Sequence, residues 1–328
     1  MTDDLGSYAD LLARADGAAG TTWGLLPPEL GTIGLLTPRR VADAAALVRT
    51  GETFRLDHPL TAFATPIARH RTAPTRIAFS TGPDQRDDYL DSFYLQASTQ
   101  IDGLRHLRDH ELGHYGGLAP DQVDEGPALG IEAWAEHGIT GRGVLVDVPR
   151  YLARTGLRPL DHRSGQRIDV ALLEQTLADQ EVERRDGDLL VIRTGWQTFY
   201  FDELTDIERA EFPEQLACAG LEQSHEMLAW LWDTRVAVAA ADNPTVECYP
   251  PVADSPFNRG LPPGTGIREG MAHSYLIARL GLALGELWRV DALAERCDAD
   301  SRYDFLLVAN VLNLPGGVGS PANAVAIR

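Results

Sequence analysis

Cysteine is scarce in this chain. Its three copies, Cys218, Cys248 and Cys297, are odd in number and widely spaced. No C-x-x-C pair occurs, which leaves no zinc ribbon and no dithiol redox motif, and free thiols fit a reducing cytoplasm. No uninterrupted apolar run reaches the roughly 18 residues of a membrane helix. Positive charge is short as well: 29 Lys+Arg stand against 48 Asp+Glu, a net charge of −19. A surface this acidic repels phosphates, so nucleic acid and anionic membrane are excluded as expected partners. The opening Met1-Thr2-Asp3-Asp4 is acidic and lacks an apolar core, so no signal peptide is expected. Repeats, low-complexity tracts and Ser- or Pro-rich linkers are also missing. That favours one α/β domain over residues 61–328, preceded by an extension or arm over residues 1–60.

What is present is a 44% hydrophobic chain of 328 residues, enough for a large core. Val41, Ala44, Ala45 and Val48 recur at helical spacing behind Pro38, with Gly51 as a stop. Thr53 to Leu60 reads as extended. Val144 to Val148, Asp188 to Trp196, Val236 to Ala241, Asp304 to Val311 and Ala324 to Ile327 read as strands. Asp169 is placed to cap a helix that shares Val170, Leu173 and Leu177 on one face. Gln223 to Trp232 and Ala272 to Arg279 read as helices. Trp23, Leu25, Leu26 and Leu30 make the arm apolar, fit to pack on a neighbouring copy or on its own domain.

The most chemical stretch is Ser98-Thr99-Gln100-Ile101-Asp102-Gly103-Leu104-Arg105-His106. If it is extended, Gln100 and Asp102 share a face, because strand side chains alternate. Gly103 breaks the run and His106 follows. An amide, a carboxylate and an imidazole are thus gathered on a short piece of backbone, an inventory suited to holding a divalent ion or moving a proton beside a carbonyl.

A second motif competes. His110-Glu111-Leu112-Gly113-His114 matches H-E-x-x-H, which on a helix presents two zinc ligands and a general base. Here Gly113, Gly116 and Gly117 each weaken a helix by about 1 kcal/mol relative to Ala. No third His follows at the expected distance. The spacing is read as accidental, leaving His110 and His114 as polar loop residues that line a pocket.

The segment Gln96 to His106 resembles the H-x-G-T-H-x-D-x-P-x-H hallmark of a cyclase superfamily that includes bacterial kynurenine formamidase and isatin hydrolase. It is most similar to longer members that carry S-T-Q-x-D-G-x-R-H. Further likenesses follow in order along the chain. Trp23-Gly24 with Leu36-Thr37-Pro38 comes first, then Tyr115-Gly116-Gly117, Gly141 to Asp147 and Arg193-Thr194-Gly195-Trp196. Asp242 to Glu247 resembles the family's D-[NT]-x-x-x-E turn. His273 with Gly285-Glu286-Leu287-Trp288, and Gly316 to Pro321, complete the set.

The resemblance implies a mixed β-sheet or barrel core surrounded by helices. It also implies a metal-dependent hydrolase that opens an amide, lactone or cyclic imide-like bond, and a homodimer or homotetramer. Carried over position by position, Asp102 and His106 match the hallmark, and His273 and Glu286 match the later His and Glu. Gln96 and Gln100 stand where the family has histidine ligands. Amide oxygen binds zinc more weakly than imidazole, which moves preference among Mn, Zn and Mg toward the oxygen-loving ions.

The expected site is therefore a divalent ion held by Asp102, Gln100, His273 and Glu286, with His106 as proton carrier. Thr99 is expected to aid the oxyanion, and Gln96, Gln100, His110 and His114 to meet a small-molecule substrate. Two alternatives stay open. The same residues fit a metal-independent cyclase, dehydratase or isomerase in which Asp102 and His106 act as acid and base. They also fit a ligand-binding relative without catalysis.

Overall fold

The computed structural model describes residues 5–260 and 269–328. Nine strands form one mixed sheet. In chain order they are β1 (Thr53–Arg55), β2 (Gln100–Asp102), β3 (Ile139–Asp147), β4 (Leu189–Arg193), β5 (Val238–Ala241), β6 (Ala283–Glu286), β7 (Asp304–Ala309), β8 (Gly319–Pro321) and β9 (Ala324–Ile327). Across the sheet the order is β1-β9-β7-β3-β4-β5-β6-β2-β8.

The four central strands, β3 to β6, run parallel. Their residues are buried, apart from the half-buried Thr140 and Arg193, and are mostly apolar, with Thr140, Arg142, Asp147, Arg193 and Glu286 as the polar positions. Val144, Leu145, Val146, Val191 and Val238 are fully buried. Antiparallel strands close both flanks, β7, β9 and β1 on one and β2 and β8 on the other. The α/β class and the mixed sheet wrapped by helices agree with the sequence reading.

Local signals placed most elements. Asp169 Oδ1 accepts the Leu172 amide and starts the helix Val170–Asp179. Ser224 caps His225–Asp233 in the same way. The Pro38 helix ends at Ala45, earlier than Val48, and only Thr53–Arg55 of the extended stretch pairs into the sheet. Val148 begins a helix rather than ending β3, because Asp147 caps it and Pro149 fits its first turn. Within the helical stretch before Leu280, Tyr275–Arg279 has the wider π spacing. Sequence reasoning missed the exposed hairpin Thr75–Gly82/Gln85–Asp91, which lacks an apolar alternation.

Residues from the arm pack on their own chain. Trp23 Nε1 donates to the Ala278 carbonyl (2.8 Å), and Thr32 Oγ1 donates to that of Ala237 (2.7 Å). Gly31 and Gly281 meet backbone to backbone, where a Cβ on Gly31 would lie 2.3 Å from the Gly281 oxygen. Among the described residues, no helix is long and apolar enough to cross a membrane.

Candidate active site

Strand register builds the site. β2 lies antiparallel between β6 and β8, and Gln100 sits directly opposite Glu286. Directly opposed residues share a face, so Gln100 Nε2 reaches Glu286 Oε2 and donates to it. Two residues on, Asp102 lies on the same face, while Ile101 points the other way into the core. Gly103 then turns the chain back. Its amide donates to the Val318 carbonyl (3.1 Å), and a Cβ would lie 2.8 Å from that oxygen. The turn returns His106 to Asp102, with His106 Nε2 3.5 Å from Asp102 Oδ2. Gln96 closes the group by donating Nε2 to Asp102 Oδ1 and placing it 3.2 Å from His106 Nδ1.

His273 enters from the helical stretch that precedes β6. Its Nε2 is 3.1 Å from Glu286 Oε1, and its Nδ1 meets Glu247 Oε1. Glu247 is itself held by the Ala272 amide (2.6 Å). Burial alone disfavours a charged imidazole, but the hydrogen bonds it donates to Glu247 and Glu286 outweigh that and push the His273 pKa up to about 10. Burial, and then the charge of Asp102, push the Glu286 carboxyl up. Both shifts report the same condition: three buried carboxylates, Asp102, Glu247 and Glu286, surround one imidazole and call for a proton or a cation.

The donor chemistry fits a metal. Asp102, His273 and Glu286 each offer one ligand atom, and these atoms lie within 4.8 Å of one another. One imidazole with two carboxylates suits a hard to borderline divalent ion. Glu247 on Nδ1 would fix the ring and raise its basicity toward an ion at Nε2. Gln100 instead turns its NH₂ to Glu286 and its Oε1 toward Arg71 (3.4 Å from Nη1).

The other expected residues lie apart in various degrees. Thr99 Oγ1 donates to the Leu287 carbonyl (2.6 Å) and accepts the His58 amide (2.9 Å), so backbone groups occupy it. The H-E-x-x-H segment is not helical; short bridges tie Asp109 to Gly113 and His114 to Leu118. His110 is exposed, and the buried Nδ1 of His114 has no hydrogen-bond partner. Two participants escaped sequence reasoning. Glu247 was visible in the D-x-x-x-E turn without an assigned role. Arg71 carried no signal, because only folding brings it to Gln100. The chain contains no lysine, so it offers no side-chain amine nucleophile.

A cleft of about 180 Å³ opens onto this cluster. Gln100, His273 and Glu286 line it, with Arg71 beside them, and Ile67, Leu216 and Met271 are among its apolar walls.

Comparison with known proteins agrees with the geometry. The model of the Cyclase family ("Putative cyclase") matches residues 54–248. A crystal structure of a novel cyclase is 32% identical, with 94% of this chain and 99% of that one aligned and a TM-score of 0.78. The chain belongs to the Cyclase family. Isatin hydrolase A from Labrenzia aggregata shares the fold at 13% identity and a TM-score of 0.54, over 86% of this chain and 94% of its own. An isatin hydrolase bound to the product analogue thioisatinate is similar at 14% identity and 0.53, over 89% and 98%. No curated protein matches the sequence.

Proposed function

We propose that this protein is a hydrolase that opens an amide, lactone or cyclic imide-like bond of a small molecule, in the manner of an arylformamidase. The observation that carries the reading is the convergence of Asp102, His273 and Glu286, the last two lining a largely apolar cleft, with His106 against Asp102. The names of two fold relatives, both isatin hydrolases, point the same way.

In this reading Asp102, His273 and Glu286 hold a divalent ion. When bound, such an ion polarises a carbonyl and makes water acidic enough to attack it. His106 takes a proton from the attacking water and delivers it to the leaving nitrogen or oxygen. Asp102 orients that imidazole, and Glu247 orients His273. Arg71 and Gln100 add N–H donors where negative charge develops. The cleft walls exclude bulk water and seat the substrate.

The test is metal analysis of the purified full-length chain. Chelation and add-back then follow, assayed on a panel of lactones, cyclic imides and N-formyl anilines. Stoichiometric metal with activity that returns on add-back supports the proposal. Full activity in a metal-free preparation removes the metal, and no turnover of any panel member removes hydrolysis.

One observation favours a second reading. Both glutamines present NH₂ groups to the carboxylates, and His273 bridges two glutamates. This arrangement satisfies the acids without an ion and fits proton transfer by Asp102 and His106 in a cyclisation, dehydration or isomerisation. Turnover of such a substrate without metal, and no hydrolysis, distinguishes it.

A further inference from the structure

His273 and Glu286 belong to one short unit of chain. His273 opens the helical stretch that runs to Arg279, Gly281 turns the chain at a φ of +65°, and β6 carries Glu286 back to the imidazole. Their 3.1 Å separation therefore depends on the angle at the joint between helix and strand.

That joint does not complete its own hydrogen bonding. A helix leaves its last four carbonyls free. Here the amides of Leu280, Gly281 and Leu282 reach back to the carbonyls of Tyr275 (3.0 Å), Ile277 (3.0 Å) and Leu276 (2.9 Å). The carbonyls of Ala278, Arg279, Leu280 and Gly281 are left to be met from elsewhere. The π spacing just before them is a rare turn that recurs at functional sites.

The N-terminal part of the chain meets all four. Trp23 Nε1 donates to the Ala278 carbonyl (2.8 Å), and the Thr22 amide donates to that of Arg279 (2.9 Å). The Thr22 hydroxyl donates to the Leu280 carbonyl (3.0 Å), and the Thr32 amide to that of Gly281 (2.9 Å). Thr32 Oγ1 meanwhile holds Ala237, just ahead of β5, the parallel neighbour of β6. Thr22 and Thr32 are buried, so these bonds form away from water, where a carbonyl left unpaired is costly. The loop that presents Thr22 and Trp23 is itself held in shape, because Arg14 Nη1 donates to the carbonyls of Thr21 and Trp23 at 2.9 Å each. The Tyr115 hydroxyl, 3.2 Å from that of Thr22, completes its bonding.

Resting on the metal site of the reading above, we propose that Thr22 and Trp23 are positioning residues for the His273–Glu286 pair. By gripping the carbonyls at the joint, they set the angle between the helical stretch and β6, and so the spacing of two ligands. Such groups work only when held to within about 0.5 Å of their productive geometry, and a shift at the joint is carried to both.

The test uses the full-length chain and two readouts. One is Mn²⁺ affinity by isothermal titration. The other needs neither metal nor turnover: the His273 Nε2–Glu286 Oε1 separation in crystals of the metal-free proteins. Thr22→Val keeps the side chain's shape and deletes its donor, and Trp23→Phe deletes the indole N–H. Each is expected to weaken Mn²⁺ binding about threefold and the double variant about tenfold, the lower end of what loss of a ligand's support brings. The separation in the double variant is expected to widen by about 0.5 Å. Thr22→Ser restores a hydroxyl and is expected to bind like the parent. Tyr8→Phe removes an N-terminal hydrogen bond away from the joint, that between the Tyr8 hydroxyl and His225 Nδ1 (3.2 Å). It is expected to lower the melting temperature and leave Mn²⁺ affinity unchanged. Parent-like affinity and separation in the double variant, with only its melting temperature lowered, overturn the proposal. So does an equal loss of affinity in Tyr8→Phe. If the parent takes up no Mn²⁺, the metal reading fails, and the crystal separation alone decides whether Thr22 and Trp23 position the pair.

Discussion

Glu247 and Glu286 grip opposite nitrogens of His273, one at Nδ1 and the other at Nε2. Only one of the two, Glu286, also faces Asp102 and Gln100. The imidazole therefore divides the acids into one anchored by backbone and one that lines the cleft. Glu247 is anchored by backbone and orients, while Glu286 shares space with the cleft.

That division predicts different losses from the two glutamates. Glu247→Gln is expected to weaken metal binding about 10- to 100-fold, as loss of a ligand's supporting partner does. Glu286→Gln removes a ligand and is expected to abolish stoichiometric binding. Isothermal titration with Mn²⁺ reads both, and equal effects of the two would contradict the assignment.

His106→Ala is expected to lower kcat by about 10²- to 10⁴-fold, the usual contribution of a positioned proton carrier. The fold should survive, since the ring is half-buried and lies outside the apolar core. The pH profile is the discriminating readout: the variant should lose the limb that reports imidazole titration. A profile unchanged in shape would count against the role.

Metal loading should also stabilise the chain. Three carboxylates crowd one buried imidazole, and an ion relieves that crowding. At a hundred times its Kd, a single bound ligand adds about 2.7 kcal/mol. Differential scanning fluorimetry with Mn²⁺, Mg²⁺ and Zn²⁺ checks this. The Asp102→Asn variant should show a smaller shift, because one ligand charge is gone.

Away from the site, His162 predicts an acid sensitivity. It is stacked on Phe199 with ring centroids 5.1 Å apart, and its Nδ1 accepts the Ala219 amide at 3.2 Å. Burial lowers its pKa from 6.5 to about 4. Between those values the unfolded chain binds the proton and the folded chain does not, so stability is lost as pH falls from 6.5 toward 4. The full shift is worth roughly 3 kcal/mol. His162→Asn should show a smaller fall in melting temperature between pH 7 and pH 5 than the parent, even if its stability at pH 7 is lower. An equal fall would assign the sensitivity elsewhere.

Asp242 predicts a structural collapse of a different kind. Its carboxylate accepts the amides of Thr194, Gly195 and Trp196 and the Thr194 hydroxyl. Asp242→Ala leaves those buried donors unpaired and is expected to cost about 3–5 kcal/mol, while Asp242→Asn keeps acceptor capacity at only one oxygen and should cost less. Urea denaturation measures both.

The legible part of this molecule follows local rules. Asp169, Ser224 and Asp147 announce helix starts because a short polar side chain can satisfy free amides within three residues. β-branched runs announce β3 and β4. The alternation Gln100-Ile101-Asp102 placed an amide and a carboxylate on one face, and register confirmed it. The hairpin at Thr75–Asp91 was hidden because almost all of it is exposed and its residues lack an apolar alternation. Arg71, just before that hairpin, was hidden with it.

By itself, the sequence determined the class of fold, several of its strands and the segment that brings Asp102 and His106 together. Each of these depends on neighbours a few residues away, through periodicity, capping and turns. Which way the two glutamine amides face and that Glu247 stands behind His273 were decided only by the tertiary structure. Those features join residues from distant strands and loops, whose meeting is fixed by the register and crossovers of the sheet rather than by any local preference of the chain.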